Sequence, residues 1–277
     1  MNVPARQVIK FAHVSSGASF NAARIAAPRL PSREWAWGGS AGAGVRVCVI
    51  DSGVDPTHPM VGGEVGLWAV EASEGNARYQ VEPDDAGDLA GHGTACAGII
   101  RTLAPACELT SVRVLGRSLR GNGEALLVAL EWAIDQGFDL VNLSLSTRQA
   151  AYKEWLHDLA DAAYHRGVTL VSSAHNSPVT SYPWRFPSVI SVGSHSTADP
   201  WFLEANPTPP VDFFAYGVGV RVAWSGGGTR MVSGNSFATP HVTGLCALVR
   251  QRHPHVRTGE LRHLLRSIAD NLVEEKT

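Results

Sequence analysis

Three short stretches carry the residue types of nucleophilic catalysis. "VIDSGVDPTHP" puts Asp51 directly behind an apolar run, "GHGTACAG" puts His92 between glycines, and "SGNSFATPHVTG" puts Ser236 ahead of Phe, Ala and Val. A serine hydroxyl becomes an effective nucleophile when a neighbouring base accepts its proton. Histidine suits that task because its ordinary pKa is about 6.5. A buried carboxylate behind the imidazole fixes its tautomer and stabilises the imidazolium that forms. An amide N–H can hold the oxyanion of a tetrahedral intermediate, and Asn176 in "SSAHNS" offers one. Asn235, next to Ser236, offers another. Each stretch also has a plainer reading: "DSG" as a turn, "HGT" as a helix start, Ser236 as a helix N-cap. Their joint occurrence, in the order Asp, His, Ser, favours the catalytic reading.

The elements that must position these residues alternate along the chain. "VRVCVI" (45–50), "LTSVRVL" (109–115), "LVNLSLS" (140–146), "VTLVSSA" (168–174) and "VISVGS" (189–194) read as strands. Their nearly continuous apolar character suits strands covered on both faces. Between them, "GEALLVALEWAIDQG" puts Leu126, Leu130, Ala133 and Ile134 on one helical face, with Gly137 as the stop. "YKEWLHDLADAAYHRG" offers a stripe of Tyr152, Trp155, Leu156 and Leu159, ended by Gly167. Near the C-terminus, Thr258 reads as the cap of a helix with stripe Leu261, Leu264, Leu265, Ile268 and Leu272. This alternation predicts an α/β fold with a mostly parallel sheet between helices. Ligands of such sheets bind at the carboxyl ends of the strands, where Asp51, His175 and Asn176 fall. His241 reads as structural, Asp55 and His58 as loop stabilisers, and "EANPTPPVDFF" (204–214) as a proline-rich loop.

Composition narrows the classes. The 277 residues are 44% hydrophobic and 17% charged, with a formal net charge of −2, so nothing points to nucleic acid or an anionic membrane. No apolar run is long enough to span a bilayer. Cys48, Cys96, Cys107 and Cys246 show no C-x-x-C spacing, which speaks against zinc and for free thiols in a reducing compartment. A disulfide involving Cys107 is the alternative. The sequon at Asn142 sits in an apolar strand and reads as coincidence.

Taken together, "VCVIDSGVDPTHP", "GHGTACAG" and "SGNSFATPHVTG" resemble the aspartate, histidine and serine motifs of the subtilisin-like serine proteases, the S8 subtilase family. "LVNLSL", "VTLVSSAHN" and "YPWRFPSVISVG" fall where that family has further strands, and the likeness runs from about Val45 to Leu265. The resemblance implies a three-layer fold with a seven-stranded, mostly parallel sheet flanked by helices. It implies Asp51, His92 and Ser236 as triad and Asn176 as oxyanion donor. It places substrate as an added strand between Leu119–Arg120–Gly121 and Ser144–Leu145–Ser146. The pocket walls beside the nucleophile become Ser144–Ser146 and Ser173–Ala174–His175, with Ser181 at the base, which predicts a narrower, more polar pocket than glycine walls give.

The chain departs from the family in having Asn235 before the nucleophile, where threonine is usual, and His175 before Asn176, where glycine is usual. "IIRTLAPACEL" runs straight into the next strand where many members wrap a calcium ion, so no metal or cofactor is expected. Residues 1–40 read as an N-terminal extension, short for a folding propeptide, and 41–277 as one peptidase domain. These features resemble compact intracellular forms, including leader-cleaving proteases of cyanobactin-type peptide pathways. The expectation is a cytoplasmic serine endopeptidase acting on peptides or proteins, with oligomeric state open. The alternatives are a dedicated precursor-peptide maturation protease and a catalytically silent binding module.

Overall fold

The structure, a computed structural model, describes residues 31–72 and 79–272. Residues 1–30 of the expected extension lie outside that range. The first half contains α1 (Arg33–Trp37), β1 (Arg46–Asp51), β2 (Val65–Ala72), β3 (Tyr79–Pro83), α2 (His92–Leu103), β4 (Glu108–Arg113) and α3 (Gly123–Asp135). Then follow β5 (Leu140–Leu143), α4 (Lys153–Arg166), β6 (Thr169–Ser173), β7 (Ile190–His195), β8 (Glu204–Ala205) and β9 (Phe213–Tyr216). The last elements are β10 (Val220–Trp224), β11 (Gly228–Val232), α5 (Asn235–Arg252) and α6 (Thr258–Ser267).

The main sheet has nine strands, in the order β3-β2-β4-β1-β5-β6-β7-β9-β8. The strands from β2 to β9 in that order are all parallel and make up the expected seven. Strands β3 and β8 add antiparallel edges. β3 is mostly exposed and β8 is two residues long, so neither has the apolar signature of a covered strand. Strands β10 and β11 form a separate hairpin.

β1 shows how the core is divided. Val47 and Val49 face one helical layer with α1, α2, α5 and α6, while Cys48 and Ile50 face α3 and α4. All four side chains are buried, as the two-residue period of a strand covered on both sides requires. α5 is buried on every side from Phe237 to Arg250, which makes it the central helix of its layer.

Several sequence expectations shift. The compact unit starts at Pro31 and not at residue 41, because α1 buries Ala36 and Trp37 in the core. In α4 the inward stripe is Leu156, Ala160 and Ala163, and Trp155 is 67% exposed. In α6 the cap is Arg257, Thr258 is the first helical residue, and Leu272 lies exposed beyond the helix end. The ends of the 204–214 loop are paired, Glu204 with Phe214. All four cysteines are buried free thiols, Cys107 included.

The link from α2 to β4 bears on calcium. α2 runs unbroken to Leu103 and β4 starts at Glu108. In the turn between them, Arg101 donates to Pro105 O at 2.9 Å and to Cys107 O, and it reaches Glu64 O at 3.3 Å. A guanidinium therefore holds the carbonyl oxygens of this turn. Calcium needs roughly six to eight oxygen ligands, and the residues present do not fit such a cage. A chelator should leave the melting temperature unchanged. Arg101→Ala should lower stability by about 1–3 kcal/mol, because the buried Cys107 carbonyl loses its donor. Calorimetry that shows the reverse pattern would refute this account of the turn.

Candidate active site

β1 lies where the strand order switches sides: β2, β3 and β4 fall on one side of it, and β5, β6 and β7 follow on the other. The carboxyl end of such a strand opens into a crevice, and Asp51 is its last residue. Asp51 is fully buried; it accepts from Ser52 N at 2.8 Å, and His92 Nδ1 lies 2.8 and 3.0 Å from its two oxygens. The imidazole opens α2, whose first turn presses onto the end of β1. A Cβ on Gly93 would stand 2.0 Å from Gly53 O, so only glycine permits that approach. With Nδ1 held by Asp51, Nε2 is the nitrogen left for proton transfer.

Asp88 fixes this arrangement. One of its oxygens accepts from Ser52 Oγ (2.7 Å), Ala90 N (2.9 Å) and Gly91 N (2.8 Å), the other from Thr94 N (2.8 Å) and Thr94 Oγ1 (2.5 Å). Ser52 Oγ in turn accepts from Gly93 N at 3.0 Å. The carboxylate thus satisfies orphan donors at the start of α2, where negative charge is favoured, and ties the segment after Asp51 to the one that carries His92. Sequence reasoning passed over it, although an Asp six residues before the "T" of "HGT" is a recognisable helix-start signal.

Ser236 occupies the first turn of α5, whose N–H groups have no intrahelical acceptor. Pro240 lies four residues on and has no N–H, so the Ser236 carbonyl has no helical partner either. Ser144 Oγ donates to that carbonyl at 2.8 Å, and the Cys96 thiol reaches it at 3.7 Å. A Cβ built on Gly234 would lie 3.4 Å from Ser236 Oγ and 3.5 Å from Asn176 Nδ2, so both side chains lie against Gly234. His92 packs against Phe237 with ring centroids 5.1 Å apart.

Asn235 differs from its expected role. Its Nδ2 donates to Ala174 O at 3.1 Å and His175 O at 3.4 Å, and its Oδ1 accepts from Ser194 Oγ at 2.8 Å. Both amide hydrogens are committed to carbonyls, so the side chain is a clamp joining β6, β7 and α5, not an oxyanion donor. Its backbone N donates to Asn176 Oδ1 at 2.9 Å, which orients that amide.

A cleft of about 690 Å³ runs past His92, Ser236 and Asn176. Leu119, Arg120, Gly121, Ser144, Leu145, Ser146, Ser173, Ala174 and His175 line it. Ser181 does not: it is fully buried behind Ser146. Leu119 adopts φ 56, a left-handed conformation that is unusual for a leucine and characteristic of strained functional loops. His175 is turned onto its own loop, where its Nδ1 accepts from Ser177 N at 3.0 Å. The structure also adds Trp224 and Ser233 to the lining, which the sequence patterns did not reveal. Asp55 and His58 tie down the β10–β11 hairpin, through Gly226 N at 3.1 Å and Gly228 O at 2.7 Å.

Among the described residues, Asp51, His92 and Cys96 are the one trio of ligand-type side chains, with donor atoms within 4.8 Å of one another. They already satisfy each other, since Asp51 also takes the Cys96 thiol at 3.8 Å. Burial raises the Cys96 pKa and keeps it a neutral donor. Burial pulls the His92 pKa down, but the adjacent Asp51 carboxylate outweighs it and holds the imidazole well above its usual range.

Comparison with known proteins bears on the family of the whole chain. Residues 42–277 match the profile described as the Subtilase family. The chain is 32% identical over 270 residues to Subtilisin from Bacillus pumilus, covering 91% of this chain and 92% of that one. It is 32% identical over 260 residues to Subtilisin Savinase from Lederbergia lenta, covering 90% of each. A solved cold adapted subtilisin-like serine proteinase superimposes with a TM-score of 0.68 at 29% identity, over 86% of each chain.

The His92–Asp51 pair has a defined pH signature. A raised histidine pKa adds stability that is complete below about pH 6.5, the unfolded value, and is lost as pH rises through the folded one. An NMR titration of His92 should therefore show a midpoint above that value. In Asp51→Asn the same burial acts without the carboxylate, and the midpoint should fall below it. An unchanged midpoint in the variant would show that Asp51 does not set the charge of His92.

Proposed function

The chain belongs to the subtilase family, a family of serine endopeptidases acting on peptides and proteins, and from that premise we propose that Asp51, His92 and Ser236 form its working triad. The observation that carries the proposal is a His92 imidazole pinned by the buried Asp51 in a cleft that Ser236 and Asn176 also line.

The steps follow from the atoms. Ser236 Oγ bonds to the carbonyl carbon of the scissile peptide and passes its proton to His92 Nε2, a step open only to the neutral imidazole and therefore favoured above its raised pKa. The carbonyl oxygen gains the charge and is held by Asn176 Nδ2 and the Ser236 N–H, which α5 presents at its positive end. Collapse breaks the C–N bond, and His92 returns the proton to the leaving amine. Water, deprotonated by the same imidazole, then attacks the ester, releases the acid and restores Ser236. Asp51 stays ionised throughout and stabilises the imidazolium. The four buried free thiols support a reducing compartment, and we place the protein in the cytoplasm on that ground.

Ser236→Ala and His92→Ala should each remove nearly all turnover, with losses of about 10⁶ in kcat, the magnitude known for subtilisin itself. Asn176→Ala should lower kcat by about 10²–10³, again subtilisin's figure, with little change in KM, because the oxyanion exists only in the transition state. A fluorophosphonate should label wild type stoichiometrically and Ser236→Ala not at all. Substantial peptidase activity in Ser236→Ala would overturn the assignment, and absent labelling of wild type would make the chain a silent binding module.

A further inference from the structure

A slot descends from Ser236 between the continuations of β5 and β6, with Ser144–Thr147 as one wall and Ser173–His175 as the other. β5 and β6 are hydrogen-bonded parallel neighbours, so the slot exists only because the two chains part at the sheet's end. Asn176 directly follows the β6 wall. A peptide carbonyl attacked by Ser236, with its oxygen at Asn176, therefore aims the side chain of its own residue into the slot.

The slot is tied shut at its base. Ser146 Oγ donates to Ser181 Oγ at 3.0 Å, and Trp184 Nε1 donates to the same oxygen at 2.8 Å. Ser181 is completely buried and Trp184 is 8% exposed. Two backbone bonds of 2.9 Å between Thr147 and Tyr182 hold the two serines in register. The Ser146 hydroxyl thus points at the base and away from any ligand, and the indole fills the space behind it.

We propose that this latch of Ser146, Ser181 and Trp184 makes the slot too shallow for a large side chain, so that the protein cleaves after glycine, alanine or serine. The proposal rests on the peptidase reading of Ser236. A leucine or phenylalanine side chain would have to separate Ser146 from Ser181 and displace the indole. That would leave a buried N–H without its acceptor beside an apolar group, a costly exchange. Alanine or serine asks for none of this. The narrowing arises at the base, from residues on two segments, and His175 contributes little because its ring is engaged with its own loop.

The test is a peptide series varied only at the residue before the cleaved bond, assayed with wild type, Ser181→Gly and Ser146→Gly. Wild type should favour alanine over phenylalanine by about tenfold or more in kcat/KM, since a single misfitted methylene already costs roughly 10–200-fold. Each glycine variant should raise the phenylalanine-to-alanine ratio about tenfold or more. Two variants are used so that misfolding of one leaves the other to report, and the wild-type series stands by itself. Wild type that turns over phenylalanine or leucine as well as alanine overturns the proposal, and so does a folded variant whose ratio is unchanged. Fluorophosphonate labelling of Ser236 is measured on the same samples. Labelling together with a large-residue preference counts against the latch alone, whereas absent labelling counts against the peptidase reading.

Discussion

The position of Ser236 depends on a carbonyl that its own helix cannot satisfy. Pro240 has no amide hydrogen to return to Ser236, so the first turn of α5 carries an orphan acceptor inside the protein. Ser144, from the end of β5, supplies the missing donor, and Cys96, from α2, lies within reach of the same oxygen. Ser144 is itself held by Asn142 at 3.1 Å, and Asn142 accepts from Thr243 on α5 at 2.9 Å. A defect that would destabilise an ordinary helix thus becomes the joint through which α5, β5 and α2 agree on where Ser236 stands. Asn235 adds β6 and β7 to the joint by clamping their backbone and hydroxyl groups.

The charged half of the site follows a different logic. A fully buried carboxylate is costly unless partners surround it, and Asp51 has His92, the Ser52 amide and the Cys96 thiol. Those partners are themselves fixed by Asp88, which collects five hydrogen bonds from Ser52, Ala90, Gly91 and Thr94. The imidazole therefore has one orientation open to it, and what remains variable is its proton. Preorganisation of this kind lets developing charge be stabilised without rearrangement during reaction.

The legible parts of the sequence were those whose chemistry is local. Covered strands such as "VRVCVI" announce themselves by apolar continuity, so the parallel core was readable, and Asp51, His92 and Ser236 fall at strand ends and helix starts, where the proposed triad is placed. Edge strands were not readable, because β3 is short and mostly exposed, with only Tyr79 and Val81 half-buried against the core, and β8 is too short to carry a pattern. The tilt of α4 escaped for a related reason: Trp155 is apolar but solvent-facing, and tertiary contact decides which face is inward. Misread roles all involved side chains that spend their hydrogen bonds on the protein. Asn235 reads as an oxyanion donor, but its amide reaches Ala174 and His175, and Ser181, expected at the pocket base, is buried there and bonded to Ser146 and Trp184. Donor capacity is written in the sequence; whether it is already used is written only in three dimensions.

The central claim is that Ser236 Oγ forms a covalent ester during turnover. Acid quenching of the protein within its first turnovers of an activated peptide ester, followed by mass spectrometry of the intact chain and its fragments, tests this directly. The account predicts a mass increase equal to the acyl group, confined to the fragment that contains Ser236 and absent in Ser236→Ala. Product formation with no adduct at any quench time, or an acyl group found on Cys96 instead, would contradict it.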